Sequence, residues 1–267
     1  IWIDKGITIN PETLIKAKEL QPNIKLVSYS PDNMALRHNQ SQQYLECVPL
    51  YDCIVTNKSY ILKDLKKLGA QQVLFVNNSY DPTFHFPHEL HEDDKKKLGG
   101  DVGFIGAWEK ERCDSILYLV NHKINVRVWG GGKWLKYKSY SPYLKIENVG
   151  LYSEDYCKAL RAFKINLCFL RKMNFDQQTT RSVEIPACGG FMLAERTDEH
   201  LNMFTEDRDA VYFSSNEELL EKCNYYLAHN LQREIVVANG LKRCIESDYS
   251  NVGMVNNVLN FIANREK

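Results

Sequence analysis

The sequence predicts an α/β protein built from two Rossmann-like domains, each a parallel sheet flanked by helices, the first of them short of a full set of strands. Three observations predict it. The chain has 267 residues, more than a usual single domain. Short β-rich runs alternate with longer helical patterns from end to end, which is the rhythm of βα units. A polar stretch from Asn77 to about Gly100, punctuated by Asp81-Pro82 and Phe86-Pro87 and ending in EDDKKKLGG, separates two such series and has the composition of a linker.

The first series reads as strand 1–4 (IWID), helix 11–20, strand 24–29, a break at Ser30-Pro31-Asp32, strand 52–56, helix 60–68 and strand 72–76. The second reads as a strand in VGFIGAW, helix 112–122, strand 125–129, the turn GGGKW, strand 144–149, helix 153–163 and strand 164–170. A polar loop over 171–180 follows, then a short helix near Glu184, strands 191–195 and 210–213, and helix 216–229. The tail from Leu231 to Lys267 is helical in pattern, with Val252, Val255, Val258, Leu259 and Ile262 spaced for one apolar stripe. The expected organisation is a first domain over 1–98, a second over 99–250, and a terminal helix over 251–267 that packs back on the first domain.

Apolar residues at 44% and charged residues at 25% fit a folded globular chain and exclude disordered, fibrous and disulfide-scaffold classes. Lys plus Arg balances Asp plus Glu at 34 each, so no global field favours nucleic acid or an anionic membrane, and any anion site must be local. The eight cysteines are scattered without a CxxC pair, mostly within apolar runs, which points to a reducing compartment. No run approaches the roughly 18–20 apolar residues of a membrane span, and IWIDKGITINP lacks the regions of a signal peptide. The expected location is cytoplasmic. A first residue other than methionine, directly on a strand pattern, reads as a fragment of a longer protein.

The most informative stretch is RKMNFDQQTTRSVEIPACGGFMLAER, from Arg171 to Arg196. Ligands of open α/β sheets lie outside the carboxyl ends of strands, where this loop begins. Pro186 is best tolerated near a helix start, which sets that start at Arg181–Ser182 and puts Glu184 in the first turn. A carboxylate there can accept two hydrogen bonds from a ribose diol, while Gln178, Thr179 and Thr180 offer amides and hydroxyls to a pyrophosphate. Arg171, Lys172 and Arg181 could neutralise a departing diphosphate without a metal ion. A solvated loop with one acid and ordinary bases fits the same letters.

The run RSVEIPACGGFMLAERTDEHLNMF, followed by DAVYFSSNEELLEKCNYYLAH, resembles the C-terminal domain of the group-1-type glycosyltransferases, particularly their spore-maturation-protein-like (CgeB-like) branch. The likeness covers about Val102 to Arg243, and extends more weakly to SYSPDN and to Asp81-Pro82 with His85. It implies a GT-B architecture and transfer of a sugar from a nucleoside diphosphate sugar, without metal or cofactor, to an acceptor that is a glycan, lipid-linked glycan or protein. In retaining relatives a Glu-x7-Glu pair recurs, the first acid near the sugar and the second on the ribose. Here Glu184 matches the second, and Asp176 stands where the first would be, one methylene shorter, so the anomeric outcome does not follow. Gly106 and Trp108, in the turn after the first strand of the second domain, match the family's first donor loop, with Arg112 opening the helix behind it. In VWGGGKW, Gly130 allows close backbone approach and Lys133 reach to a phosphate, or the segment is a flexible turn. The acceptor-activating base is expected from the first domain, with Asp32 the candidate beside a lining loop at Lys5-Gly6, although a plain turn residue after Pro31 fits the letters slightly better.

Other patterns have ordinary readings. His85, His88 and His91 have metal-like spacing, but Pro87 interrupts a helical face. Asp207-Arg208-Asp209 precedes a strand, whereas a metal-binding Asp-x-Asp ends one, and Cys188 reads as a small packed residue. Two alternatives to transfer stand beside it: a nucleotide-sugar epimerase, and a non-catalytic nucleotide-sugar-binding relic of the same fold.

Overall fold

A computed structural model describes residues 1–264, and the chain divides into two compact units. The first comprises Ile1–Asn78, Arg171–Gln177 and the chain from Val252; the second comprises Ser79–Leu170 and Gln178–Asn251.

The first unit opens with β1 (Trp2–Asp4), α1 (Pro11–Leu20), β2 (Val27–Ser30), α2 (Gln42–Cys47), β3 (Cys53–Thr56), α3 (Leu62–Lys67) and β4 (Val73–Phe75). The four strands form one parallel sheet in chain order. Pro11 starts α1, where its fixed φ suits the helix and its missing N–H costs nothing. All four residues of β3 are buried, as expected of a central parallel strand covered on both faces. The sequence reading passed over α2 because six residues leave no room for a helical period; what starts it is Ser41, whose side chain accepts the Tyr44 N–H.

The second unit comprises α4 (Glu92–Leu98), β5 (Gly100–Ile105), α5 (Lys110–Asn121), β6 (Val126–Trp129), β7 (Leu144–Ile146), α6 (Ser153–Ala162), β8 (Phe163–Cys168), α7 (Arg181–Ala187), β9 (Met192–Glu195), α8 (Asp198–Met203), β10 (Val211–Phe213), α9 (Asn216–Ala228) and α10 (Asn230–Glu246). Its six parallel strands run β10-β9-β8-β5-β6-β7. Counted from β5, that is the doubly wound order in which the chain reverses direction across the sheet between β5 and β8. The side chains of β5 alternate: Val102 and Phe104 enter one apolar cluster, Ile105 the other, so both faces of the sheet are covered.

The stretch read as a linker belongs to the second unit, so the change of unit falls at 78/79 and not at 98/99. EDDKKK forms α4, which packs on α6 through Lys158–Asp94 (3.3 Å) and buries Leu98 completely. The tail is two helices, α10 and then α11 (Asn251–Ala263), separated at Asp248, whose φ is 47°. The chain from Val252 groups with the first unit, where Val258 is fully buried among Val27, Cys53, Val55 and Val76. The packed stripe differs from the expected one. Met254, Val258, Phe261 and Ile262 face this cluster, while Val252 and Leu259 are 60% and 56% exposed. Among the described residues no helix is long and apolar enough to cross a membrane.

Candidate functional site

At the carboxyl ends of β5, β6 and β7 the second unit has a cavity of about 760 Å³, closed on one side by the start of α7. The chain re-enters this unit at Gln178, and the next five residues fix where α7 begins. Gln178 is fully buried and donates from Nε2 to Glu199 at 2.7 Å. The Thr179 N–H donates to Ser182 Oγ (3.0 Å), which itself lies 2.7 Å from His200 Nε2. His200 Nδ1 is 2.7 Å from the Glu195 carbonyl, so the ring proton sits on Nδ1 and Nε2 accepts from the Ser182 hydroxyl. Burial lowers the pKa of His200 and keeps it neutral in this lock. The Gln178 side chain and the Thr179 N–H, expected to face a diphosphate, thus have partners inside the fold. Thr180 lines the cavity and does not cap the helix.

Arg181 and Glu184 follow on the cavity side. Arg181 Nε donates to the Ile105 carbonyl at 2.8 Å, which ties the start of α7 to the end of β5 and leaves Nη2 of the guanidinium beside Gly106. Glu184 Oε2 accepts a 2.6 Å hydrogen bond from Tyr156 on α6, and Oε1 lies 3.8 Å from His85 Nε2. Burial first, and then the Glu184 charge, raise Tyr156 well above the usual phenol value, so it stays a donor. Glu184 is therefore turned to the cavity and held by a neutral hydroxyl.

Gly130 and Gly106 form the floor. The Gly106 N–H donates to the Trp129 carbonyl (2.9 Å) and the Gly106 carbonyl accepts from Trp134 Nε1 (3.0 Å). A Cβ on Gly130 would lie 2.3 Å from that same carbonyl oxygen, so no side chain fits there. Gly130→Ala is expected to lower stability by about 1–3 kcal/mol and distort the floor, because backbone and not a rotatable group must yield; a thermal melt within error of wild type would contradict this.

Several expected site residues lie elsewhere. Trp108 and Lys133 pair with each other, the ammonium 4.7 Å from the indole centroid, and neither lines the cavity. Arg112 is 8% exposed; it holds the Ala107 carbonyl (3.3 Å) and Glu109 (3.3 Å), bracing the loop from behind. Arg171, Lys172 and Asp176 belong to the segment grouped with the first unit, and of the three expected cations Arg181 lines this cavity. A sharp left-handed residue at Phe175 (φ 55°) turns that segment.

Within the first unit, Asp176 Oδ1 lies 2.8 Å from Lys58 Nζ, the two side chains 12% and 3% exposed. The approach is off-axis, and this oxygen makes no well-directed hydrogen bond, so the attraction is that of two charges. Asp176 is therefore an acid held in a largely buried ion pair within this unit. Asp32 pairs with Lys5 at 2.6 Å and receives a longer contact from Asn174 Nδ2 (3.5 Å). Burial pushes the Asp32 carboxyl up, but the hydrogen bond and charge of Lys5, and then Arg171, outweigh it and hold it below the ordinary carboxylate value.

The family model described as "Glycosyl transferase-like" matches residues 112–260, more than half of the chain. The chain belongs to that family. It is a glycosyltransferase of GT-B fold, with two parallel sheets flanked by helices, in agreement with solved structures. Anabaena HepE, in complex with UDP and glucose, superposes at a TM-score of 0.68 with 10% identity over 96% of this chain and 76% of its own. The sucrose-phosphate synthase of Thermosynechococcus elongatus gives 0.68 at 11% identity over 99% and 73%. A Staphylococcus aureus (S. aureus) TarM variant in complex with UDP gives 0.64 at 13% identity over 94% and 54%. No curated protein sequence matches the chain.

For this glycosyltransferase the sequence reading missed two cavity residues, Tyr156 and His85, and the exposed loop 148–153 that follows β7. The Glu184 partner on α6 carries no local motif. His85 was set aside with His88 and His91, yet the three part company in the fold. His85 faces Glu184, and His88 Nε2 contacts the Phe84 carbonyl (3.1 Å). Among the described residues no three His, Cys, Asp or Glu side chains are grouped to hold a metal ion.

Proposed function

We propose that the cavity at α7 binds the nucleoside diphosphate of an activated sugar, and that this glycosyltransferase passes the sugar to an acceptor hydroxyl. The observation that carries the reading is Glu184: an acid in the cavity wall, fixed by Tyr156 and close to backbone at Gly106 and to Arg181. An ionised carboxylate in such a place accepts hydrogen bonds from a ribose diol, the strongest class available to a neutral sugar. Complexes of HepE with UDP, UDP and glucose, and UDP-glucose support a nucleotide-sugar donor.

In this reading the diphosphate lies against the Gly106-Ala107 backbone and the outer nitrogens of Arg181, which stabilise the charge that develops on the leaving group. Transfer then needs neither metal nor cofactor. Asp32 is the acceptor-side candidate: ionised at neutral pH through Lys5, it can accept the proton that the attacking hydroxyl loses. Asp32→Asn should cut turnover at least tenfold while nucleotide affinity stays within twofold, and equal loss of both would remove this role. The motif RSVEIPACGG supports membership of the spore-maturation-protein-like branch. Isothermal titration with UDP and other nucleoside diphosphates in EDTA tests the whole reading; binding is expected, and its absence for every nucleotide would overturn it.

A further inference from the structure

The contacts of His85 go beyond the donor reading and rest on it. His85 Nδ1 accepts the Asp81 N–H at 3.1 Å, so the proton of the neutral ring is on Nε2, the nitrogen that faces Glu184 Oε1. The ring is 8% exposed, packed against Phe84 (centroids 4.3 Å) and edge-on to Tyr156 (6.1 Å). Burial lowers its pKa; the charges of Glu184 and Asp81 and a backbone contact at Asp81 pull the other way and do not prevail. A donor nitrogen thus lies 3.8 Å from a carboxylate oxygen, too far for a hydrogen bond between them. One hydroxyl oxygen fits that gap at about 2.8 Å from both atoms. It would accept from His85 and donate to Glu184, while Tyr156 occupies the other carboxylate oxygen.

We infer that His85 is a donor-binding residue that, with Glu184, clamps a single ribose hydroxyl of the nucleotide and so selects ribonucleoside over deoxyribonucleoside diphosphates. Only a group that both donates and accepts satisfies the two facing atoms, and a deoxy position leaves both without a partner. Tyr156 acts through Glu184, as a positioning residue that fixes which oxygen is turned to the ligand.

The test is a cycle of ligand against variant. UDP and its 2′-deoxy and 3′-deoxy forms are titrated into wild type, His85→Phe and His85→Gln, with thermal melts alongside. Wild type is expected to lose about tenfold or more in affinity for one deoxy form. In His85→Phe, which keeps the packing against Phe84, UDP should bind roughly three- to tenfold more weakly, and the penalty for that deoxy form should shrink severalfold. His85→Gln, with an amide N–H to offer, should restore most of both. A deoxy penalty equal in wild type and His85→Phe overturns the inference even where Glu184→Ala loses nucleotide. If Glu184→Ala binds UDP as wild type does, the donor reading itself falls.

Discussion

Glu184→Ala is expected to weaken nucleoside diphosphate binding at least about 100-fold. Each hydrogen bond to an ionised acceptor contributes roughly 1.5–3 kcal/mol, and losing two of them costs about 3 kcal/mol or more, at about 1.4 kcal/mol per decade of affinity. The substitution also removes the acceptor of the Tyr156 hydroxyl, which donates to Glu184 at 2.6 Å. Stability should therefore fall as well, by about 1–3 kcal/mol. Glu184→Gln separates the two effects: its carbonyl oxygen can still take the Tyr156 hydrogen bond, so the melt should recover while affinity stays about tenfold or more below wild type. Wild-type affinity in a folded Glu184→Ala protein contradicts the ribose assignment.

Lys58→Met is expected to destabilise the fold more than any other of these substitutions. Its ammonium is 3% exposed and lies 2.8 Å from Asp176, itself 12% exposed. Removing the cation leaves a buried carboxylate uncompensated, which costs about 3–5 kcal/mol, a large share of the roughly 5–15 kcal/mol that holds a domain folded. Replacing both partners, in Lys58→Met with Asp176→Leu, should recover most of the loss, since a buried pair adds little over an apolar pair of similar size. Urea unfolding measures both. A Lys58→Met loss below about 1 kcal/mol would mean that the pair is well solvated and contributes little to stability.

The fold was legible where periodicity had room to repeat. The bounds of α1 follow from Pro11 and the run after it, and the strands from short apolar runs bounded by turn residues. The short α2 and α8 were not legible, because six residues give no period. Their starts are fixed by single capping bonds, from Tyr44 to Ser41 and from His200 to Thr197. In α11 the same apolar letters serve two registers, and packing against Val27 and Val55 selects the one that a periodicity count does not.

At the site, sequence reasoning placed Glu184 through Pro186 and the end of β8, both local features. It could not tell that Gln178 turns inward to Glu199 or that Arg171 and Lys172 group with the first unit, since direction within a polar loop depends on partners remote in the chain. Tyr156 and His85 reach Glu184 from α6 and from the segment before α4, and only the fold brings these three together.

The most direct test is a crystal structure of the protein with a bound nucleoside diphosphate. The account predicts the ribose within hydrogen-bond distance of Glu184, one hydroxyl also reached by His85 Nε2, and the diphosphate against Gly106 and Arg181. A nucleotide seated elsewhere, with Glu184 still bonded to Tyr156 and facing only solvent, would contradict it.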